Sequence, residues 1–543
     1  PRDGFERIPD TLQALIAARI DRLPGLARVA VQRAAVMGRI FMAGALERLS
    51  PEVEEIGNAL DELLIRDLIV EEPRASISGE QAYKFKHVLI REVAYAGLSK
   101  SARADLHYAF ATWLGERAGD ELLEIRAFHL DQAARLLTEL DGAAPPDLRE
   151  EAAVMLTSAG HRALSREAFR SARKLLLRAV ELAPTLERRY LAGRAAWRLA
   201  DFPAVMVEMT DVAEHAAASG EHVLQGRALA ALAEATLQHK ADAAAAGVIA
   251  AKAREVLANE APGIRFEPLW ISSQIAGWLG DSPAFEKYAK RALEAARDAE
   301  RKDLEVLVIQ SLAFAYITRL EISEALPLID RAFELADASG SITGRASAHA
   351  VRGYYELVTE HPAEAEADYS AARELFAEIG NTRREAVMLM FVGRAAFAQG
   401  HDERAESILR DAVRTLKGLG DRGSLCEAQR TLAMVLAEQG KLEEAERHAL
   451  EARETVGPED RISVGTTLLA LGVVRAGQRR DDEAETLIRE AVETFRLYEF
   501  RALEHWALRR LIDFLRDRAR DDDAVVYEER RSSLGPSSTA RIA

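Results

Sequence analysis

Nine positions recur along the sequence at nearly constant spacing: Ala172, Val205, Ala245, Phe285, Ala325, Ala365, Ala405, Ala445 and Ala484. The intervals are 33, then 40 six times, then 39 residues. A period of this length marks stacked supersecondary units rather than one folded core. Each position sits in the same local frame. A small residue (Gly393, Ala433, Gly472) precedes an interhelix turn such as Gly400–Glu403 or Gly440–Glu443, and the marked residue then falls in a second helix. Further along that helix comes another alanine: Ala332, Ala372, Ala412, Ala452 or Ala491. Small residues at this spacing let antiparallel helices approach closely, while bulky neighbours such as Tyr316 and Leu436 fill the space between units. Gly220, Gly340, Gly380 and Gly420 stand in register with this pattern, as helix C-terminal stops do.

The frame resembles the tetratricopeptide repeat, in a lengthened form of about 40 residues rather than about 34. The resemblance covers residues 152–515 and implies a helical-pair solenoid, which is a binding surface first. The expected fold class is all-α: a small winged-helix-like N-terminal domain over 1–140, then an α-solenoid of about nine tetratricopeptide-like helical pairs over 152–520. Ala502–Arg518 is expected to cap it. Pro262, Pro268 and Gly280, near Trp270 and Trp278, mark one irregular unit. Residues 521–543, opening on Asp521–Asp523, read as a loosely ordered tail.

Composition narrows the function classes. Of the 543 residues 48% are hydrophobic and 29% charged, so a large core forms and a wholly disordered chain is excluded. The net charge of −16 offers no phosphate-neutralising surface, so no nucleic-acid partner is expected. No apolar run reaches membrane-spanning length, so no membrane partner is expected, and the lone Cys426 fits a reducing cytoplasmic setting as a small core residue. The sequence opens at Pro1, and the chain is expected to be the C-terminal part of a longer polypeptide.

Before the repeats, residues 10–23 read as a helix capped by Asp10 with Gln13, with Leu12, Leu15, Ile16, Ile20 and Leu23 as its apolar stripe. A second helix ends at Gly38, a third covers Ala43–Leu49, and a fourth starts at Ser50–Pro51. Leu68–Val70 and Tyr83–Phe85 then read as a β-hairpin around Gly79, completing a winged-helix order of elements. His87–Tyr95, Ala102–Gly115 and residues 120–137 return to helix, and Asp141–Asp147 is the expected domain boundary.

Two blocks here, Ile8–Leu23 continuing to Gln32–Phe41, and Phe85–Tyr95, resemble the region that follows the nucleotide-binding core in bacterial signal-transduction ATPases of the STAND class. The resemblance is to the predicted ATPase module of adenylate/guanylate cyclase-linked proteins. It implies an upstream nucleotide-binding domain using ATP/ADP with Mg, and makes His87 a nucleotide-contact candidate that would hold the closed, ADP-bound state. The alternative for His87 is that it caps its own helix or packs on Phe85. This chain has no G-x-x-x-x-G-K-[ST] sequence, so no catalytic residue and no cofactor site are expected within it. The fourth helix carries Glu52, Glu54, Glu55, Asp61 and Glu62 against Arg66, which disfavours DNA binding. Arg91 and Glu92 read as an exposed helical pair. Other histidines, among them His107, His129, His161, His215, His349 and His448, are scattered and have no metal-ligand spacing.

Transferring the repeat frame along the chain puts Trp270, Gln274, Gln310, Phe314, Tyr354, Arg394, Arg430 and Met434 towards the inner face. Aromatic anchors interleaved with Arg and Gln suit a protein or small-molecule effector, although part of the set is expected to pack between repeats. The expected role is regulatory: a sensory segment whose repeats bind an effector and control an upstream nucleotide-binding or cyclase domain. The alternatives are an interaction scaffold without a switch, and a part of a nucleotide cyclase whose catalytic domain lies upstream.

Overall fold

The computed structural model describes residues 10–534 except 54, 74–76, 78 and 120. The motif residues Ile8 and Pro9, the Asp10 cap, the Leu12 face, Glu54 and the stretch beyond residue 534 lie outside the described residues and side chains. The described chain is essentially all-α, with 27 α-helices, one π-helical turn and three short strands. It divides into two compact units, residues 1–163 with 174–188, and residues 164–173 with 189–543.

In the first unit, helices Asp10–Asp21, Gly25–Met37, Ala43–Leu49 and Ile56–Ile65 surround a small sheet. Strands β1 (Ile40–Met42), β2 (Ile69–Glu72) and β3 (Ala82–Phe85) pair antiparallel in the order β1-β3-β2. The expected hairpin is β2–β3. The third strand, β1, is too short to show an alternating pattern, and it pairs Phe41 opposite Tyr83. Phe41, Phe85, Leu46 and Leu63 are fully enclosed in one apolar cluster. Ile16, Ile20 and Leu23 join them, but Leu15 is 60% exposed and not part of the stripe. The fourth helix begins at Ile56 rather than at Ser50, because residues 51 and 52 form a turn. Arg91 does not pair with Glu92: its Nε donates to the Ala35 carbonyl at 3.0 Å. Within Asp141–Asp147 only residues 142–145 leave the helices, as a turn within this unit. Gly142 takes the left-handed conformation (φ 81°) after helix Leu123–Asp141, and Pro146 opens Pro146–Ser165. Leu130 and Ala134 share an apolar cluster with Ala152 and Leu156 across it. The same Gly and Pro chemistry serves an interhelix corner and a domain linker alike.

Nine helix pairs follow in order, from Pro146–Ser165 with Phe169–Leu182 to Arg461–Gly477 with Asp481–Leu497. The repeated small positions are core positions: Ala172, Val205, Ala325, Ala365, Ala405, Ala445 and Ala484 are all fully buried, and so are Ala332, Ala372, Ala412, Ala452 and Ala491. One position slips. Ala246, not Ala245, takes the buried place in the third pair. The π-helical turn Thr236–Lys240 just before it adds the extra residue, as π-bulges do. Arg501–Arg516 caps the stack with Trp506, Leu508 and Leu511 buried. The tail reading is corrected for residues 521–533. They form the helix Asp521–Ser533, with Ala524 fully buried, Tyr527 packed on the core, and Arg530 bonded to Glu504. Three aspartates at its first turn suit the helix dipole rather than marking disorder.

Several helices stop on a non-glycine residue in the left-handed region, among them Glu300 (φ 55°) and Arg479 (φ 61°), where Gly280, Gly340, Gly400 and Gly440 serve elsewhere. Both side chains are exposed. A left-handed L-residue costs about 1–2 kcal/mol, partly offset by the greater unfolded freedom of glycine. Glu300→Gly and Arg479→Gly should each therefore raise stability by about 0.5–1 kcal/mol in urea unfolding; a lowered midpoint for both would contradict this account of the turns.

Candidate ligand cavity

The second unit coils until distant repeats touch. Glu167 accepts hydrogen bonds from Ser341 Oγ (2.9 Å), Thr343 N (2.8 Å) and Thr343 Oγ1 (3.0 Å). Ala244 N donates to Glu459 at 2.9 Å, and Arg383 donates to Gln238 at 2.8 Å. Gly280 lies against the Tyr498 ring and Gly423 against Trp278, so a side chain would not fit at either position without movement. Inside this coil is a cavity of about 460 Å³, lined by first helices of successive pairs from Pro262–Leu279 to Arg461–Gly477. That volume lies within the range of small-molecule sites.

Seven of the eight inner-face candidates line this cavity: Trp270, Gln274, Gln310, Phe314, Tyr354, Arg394 and Arg430. Met434 does not. It is 1% exposed and sits in the apolar core with Leu432 and Val435, one helical turn past Arg430, where the helix is packed rather than facing the open space. Not every lining side chain is free to bind. Gln310 spends an amide hydrogen on the Gly344 carbonyl (2.9 Å), a bond between neighbouring repeats. Phe314 stacks on Tyr354 with centroids 4.7 Å apart, and Phe314 remains 41% exposed. Tyr354 is buried, which pushes its hydroxyl above the ordinary tyrosine value.

The charges of the wall form a pattern the repeat frame did not reveal. Five arginines, Arg319, Arg383, Arg384, Arg394 and Arg430, face two carboxylates, Glu427 and Asp460. Arg319 is held by Glu286 (2.9 Å) and Glu321 (3.0 Å), and Arg383 by Asp421 (2.6 Å). Arg394 (3.5 Å) and Arg430 (3.1 Å) share a single oxygen of Glu427. Arg384 has no carboxylate partner among the described residues, lies over the Phe376 ring, and is pulled down to about 10 by burial with Arg383 beside it. Burial likewise lowers Arg394 and raises Asp460. Repeat periodicity missed Arg383, Arg384, Glu427 and Asp460 because they are not in one 40-residue column. The nearest signal was local, the Glu427 and Arg430 pair at i and i+3.

His87 sits in the first unit. It is exposed, with extended backbone (φ −129°, ψ 141°) at the start of helix Val88–Ala96, and its side chain does not cap that helix. Cys426 is buried, with its thiol pushed up to about 11 by burial. Among the described residues no group of three or more His, Cys, Asp or Glu side chains could hold a metal ion, and no helix is long and apolar enough to cross a membrane.

The sequence profile of the tetratricopeptide repeat family matches residues 424–496, the last pairs that wall this cavity. The solenoid contains tetratricopeptide repeats. An uncharacterized protein of Rhizobium meliloti (strain 1021) is 28% identical over 172 residues, which is 31% of this chain and 15% of that protein; the chain thus spans a small part of its curated relative. Among solved structures, a STAND protein with a tetratricopeptide repeat sensor from Pyrococcus horikoshii aligns at 13% identity and TM-score 0.34, over 96% of this chain and 64% of that one. A Rap protein complexed with competence and sporulation factor aligns at 12% identity and TM-score 0.43, over 62% of this chain and 99% of that one. Yeast Tom70 aligns at 12% and 0.31, over 81% and 93%. A tetratricopeptide solenoid has an interaction or sensory role.

Proposed function

We propose that this chain is the regulatory and sensory segment of a signalling ATPase, and that its effector binds inside the solenoid. The observation that carries the reading is the cavity itself: aromatic and cationic side chains from several repeats converge on one concave space. An effector there touches repeats far apart in sequence, and so favours one curvature of the coil over another. Differential affinity of that kind is what a ligand needs to shift a conformational equilibrium. The first unit is the proposed receiver. Its helices with a small three-stranded antiparallel sheet, β1 before the third helix and the β2–β3 hairpin after the fourth, support a winged-helix reading, and the blocks Gln32–Phe41 and Phe85–Tyr95 support a place beside a nucleotide-binding domain using ATP/ADP with Mg. A nucleotide cyclase is the proposed output on the same resemblance, and the setting is cytoplasmic.

Affinity capture of proteins and metabolites from lysate on this chain, beside a Trp270→Ala/Tyr354→Ala variant, tests the effector site. A ligand enriched on the first and lost from the second supports it, and equal recovery on both overturns it. His87 provides the test of switching. Exposed at a helix start, with no capping bond to lose, it is available to a nucleotide phosphate. In the protein that carries the nucleotide domain, His87→Ala should speed ADP release roughly tenfold or more, the worth of one hydrogen bond to a charged group, at unchanged melting temperature. Unchanged release would remove the only nucleotide contact proposed from this chain.

A further inference from the structure

Arg319 and Arg383 are paired with carboxylates outside the wall, which leaves three arginines, Arg384, Arg394 and Arg430, facing two wall carboxylates, Glu427 and Asp460, in a chain that is strongly acidic as a whole. Arg394 and Arg430 are 5% and 4% exposed, and the Nε of each lacks any hydrogen-bond partner. The hydroxyl of Tyr369, 1% exposed and also in the wall, is likewise without a partner. Buried guanidiniums are ordinarily paired, because an unsatisfied buried charge is expensive. Here two of them contend for one oxygen of Glu427, and Arg384 nearby is in no ion pair among the described residues, with Glu234 and Asp421 attracting it only at longer range. An arrangement short of one anion is relieved by binding one. The rest of the wall fixes what that anion carries: Trp270, Trp278, Phe314 and Phe391 offer flat apolar faces. The volume of about 460 Å³ is that of a small-molecule site.

We infer that the cavity binds a small organic anion with a flat apolar body, its charged end on the Arg394 and Arg430 guanidiniums and its body against the aromatic wall. This rests on the effector-site reading above and specifies its ligand class. The planar guanidinium fork suits an oxyanion, and charge-assisted bonds of this kind are the strong ones. Glu427 is then a competitor for the same arginines and sets the affinity, while Tyr369 supplies a neutral donor.

The test is a fluorescence titration of the full chain with 8-anilino-1-naphthalenesulfonate, an aromatic anion, beside the uncharged N-phenyl-1-naphthylamine. Tryptophan energy transfer that falls in a Trp270→Phe/Trp278→Phe variant reports that the probe is inside. One saturable site is expected for the anion, with the neutral probe at least about tenfold weaker, and phenylacetate should displace the bound anion. Arg394→Gln and Arg430→Gln should each weaken the anion at least about tenfold and leave the neutral probe unchanged, whereas Glu427→Gln should strengthen the anion. Each arginine variant leaves Glu427 in a one-to-one pair, so its melting temperature without ligand should hold or rise; a merely structural role predicts a fall. Arg384→Gln strands no partner and serves as a third variant should either of the others fail to fold. Equal binding of the two probes, or undiminished anion binding in folded arginine variants, overturns the inference. A polypeptide captured by the wild type and lost from Trp270→Ala/Tyr354→Ala, with no anion site, would keep the effector site and discard this ligand class. An arginine-dependent anion site that leaves ADP release unaltered would keep the inference and discard the switch.

Discussion

The first unit should lose about 4 kcal/mol of stability between pH 7.5 and pH 5 through two histidines alone. His107 and His129 are 2% and 1% exposed, and their Nδ1 atoms are 2.7 Å apart, so at least one ring must be neutral for a hydrogen bond to join them. Tyr95 lies 2.9 Å from the Nε2 of His107, and the His129 ring donates to the Met37 backbone. Phe110 and Phe128 pack edge-on around His129. The chain of bonds ties four helices of this unit together and has no place for an added proton. Burial, with Arg91 and Arg103 nearby, pulls His107 down to about 4; burial, His107 and Arg91 pull His129 down to about 3. Once unfolded, both rings return to the ordinary value of about 6.5. Acid therefore protonates the unfolded chain first. The contribution is fully present above about pH 6.5 and is lost as pH falls towards the folded values, at about 1.4 kcal/mol per histidine per pH unit. Melting temperatures at pH 7.5 and 5.5 measure the slope, and His129→Gln, which removes one titrating ring, should roughly halve it. Equal slopes in wild type and variant would show that the acid response comes from elsewhere.

Nothing in the sequence announced that pair. His107 and His129 are separated by a helix turn and lie on two helices whose packing partners are not periodic, and a histidine on an apolar helix face gives no sign of what it will meet. The solenoid was legible for the opposite reason. Its contacts repeat, so one correct frame places every pair, and Ala365, Ala405 and Ala445 are fully buried where that frame put them. The frame failed where a local irregularity broke the count, at the π-helical turn before Ala246, and at Met434, which is packed in the core one helical turn past Arg430. Gln274, Phe314, Tyr354 and Arg394 reached the cavity wall because side chains in equivalent places on successive first helices, 40 residues apart, point the same way. Arg383, Arg384 and Asp460 reached it by the closure of the coil, which depends on contacts such as Glu167 with Thr343 over 176 residues. Separations of that size leave no trace in a 40-residue pattern.

The seam between the two helices of each pair should be the part of the solenoid least tolerant of added volume. The second-helix residue four places after each marked position lies against a small residue of the first helix. A Cβ built on Gly353 would stand 2.8 Å from Tyr369 Cε1, and one on Gly393 2.8 Å from Leu409 Cγ. At Gly472 it would meet Ile488 Cγ1 at 2.6 Å, the Ile488 backbone nitrogen at 3.2 Å and the Ala484 carbonyl at 3.3 Å. A flexible side chain can yield, but backbone on the far side of the seam cannot without parting the helices. Ala405→Leu and Ala445→Leu should therefore each cost roughly 1–3 kcal/mol, and Gly472→Leu about 3 kcal/mol, the upper end of ordinary overpacking. Gly418 is the control: it is exposed, helical, and has no atom within 4 Å of where its Cβ would be. Gly418→Ala should gain up to about 1 kcal/mol from helix propensity alone, whereas Gly472→Ala should lose stability despite the same intrinsic gain. Because each repeat is stabilised by its neighbours, the Gly472→Leu loss should also lower hydrogen-exchange protection in Arg422–Glu438, one pair away, and in the capping helix Arg501–Arg516. Chemical unfolding of the five variants, with exchange measured on Gly472→Leu, checks both parts. If Gly472→Ala and Gly418→Ala shift the midpoint alike, close helix approach at these glycines is not what holds the pairs together.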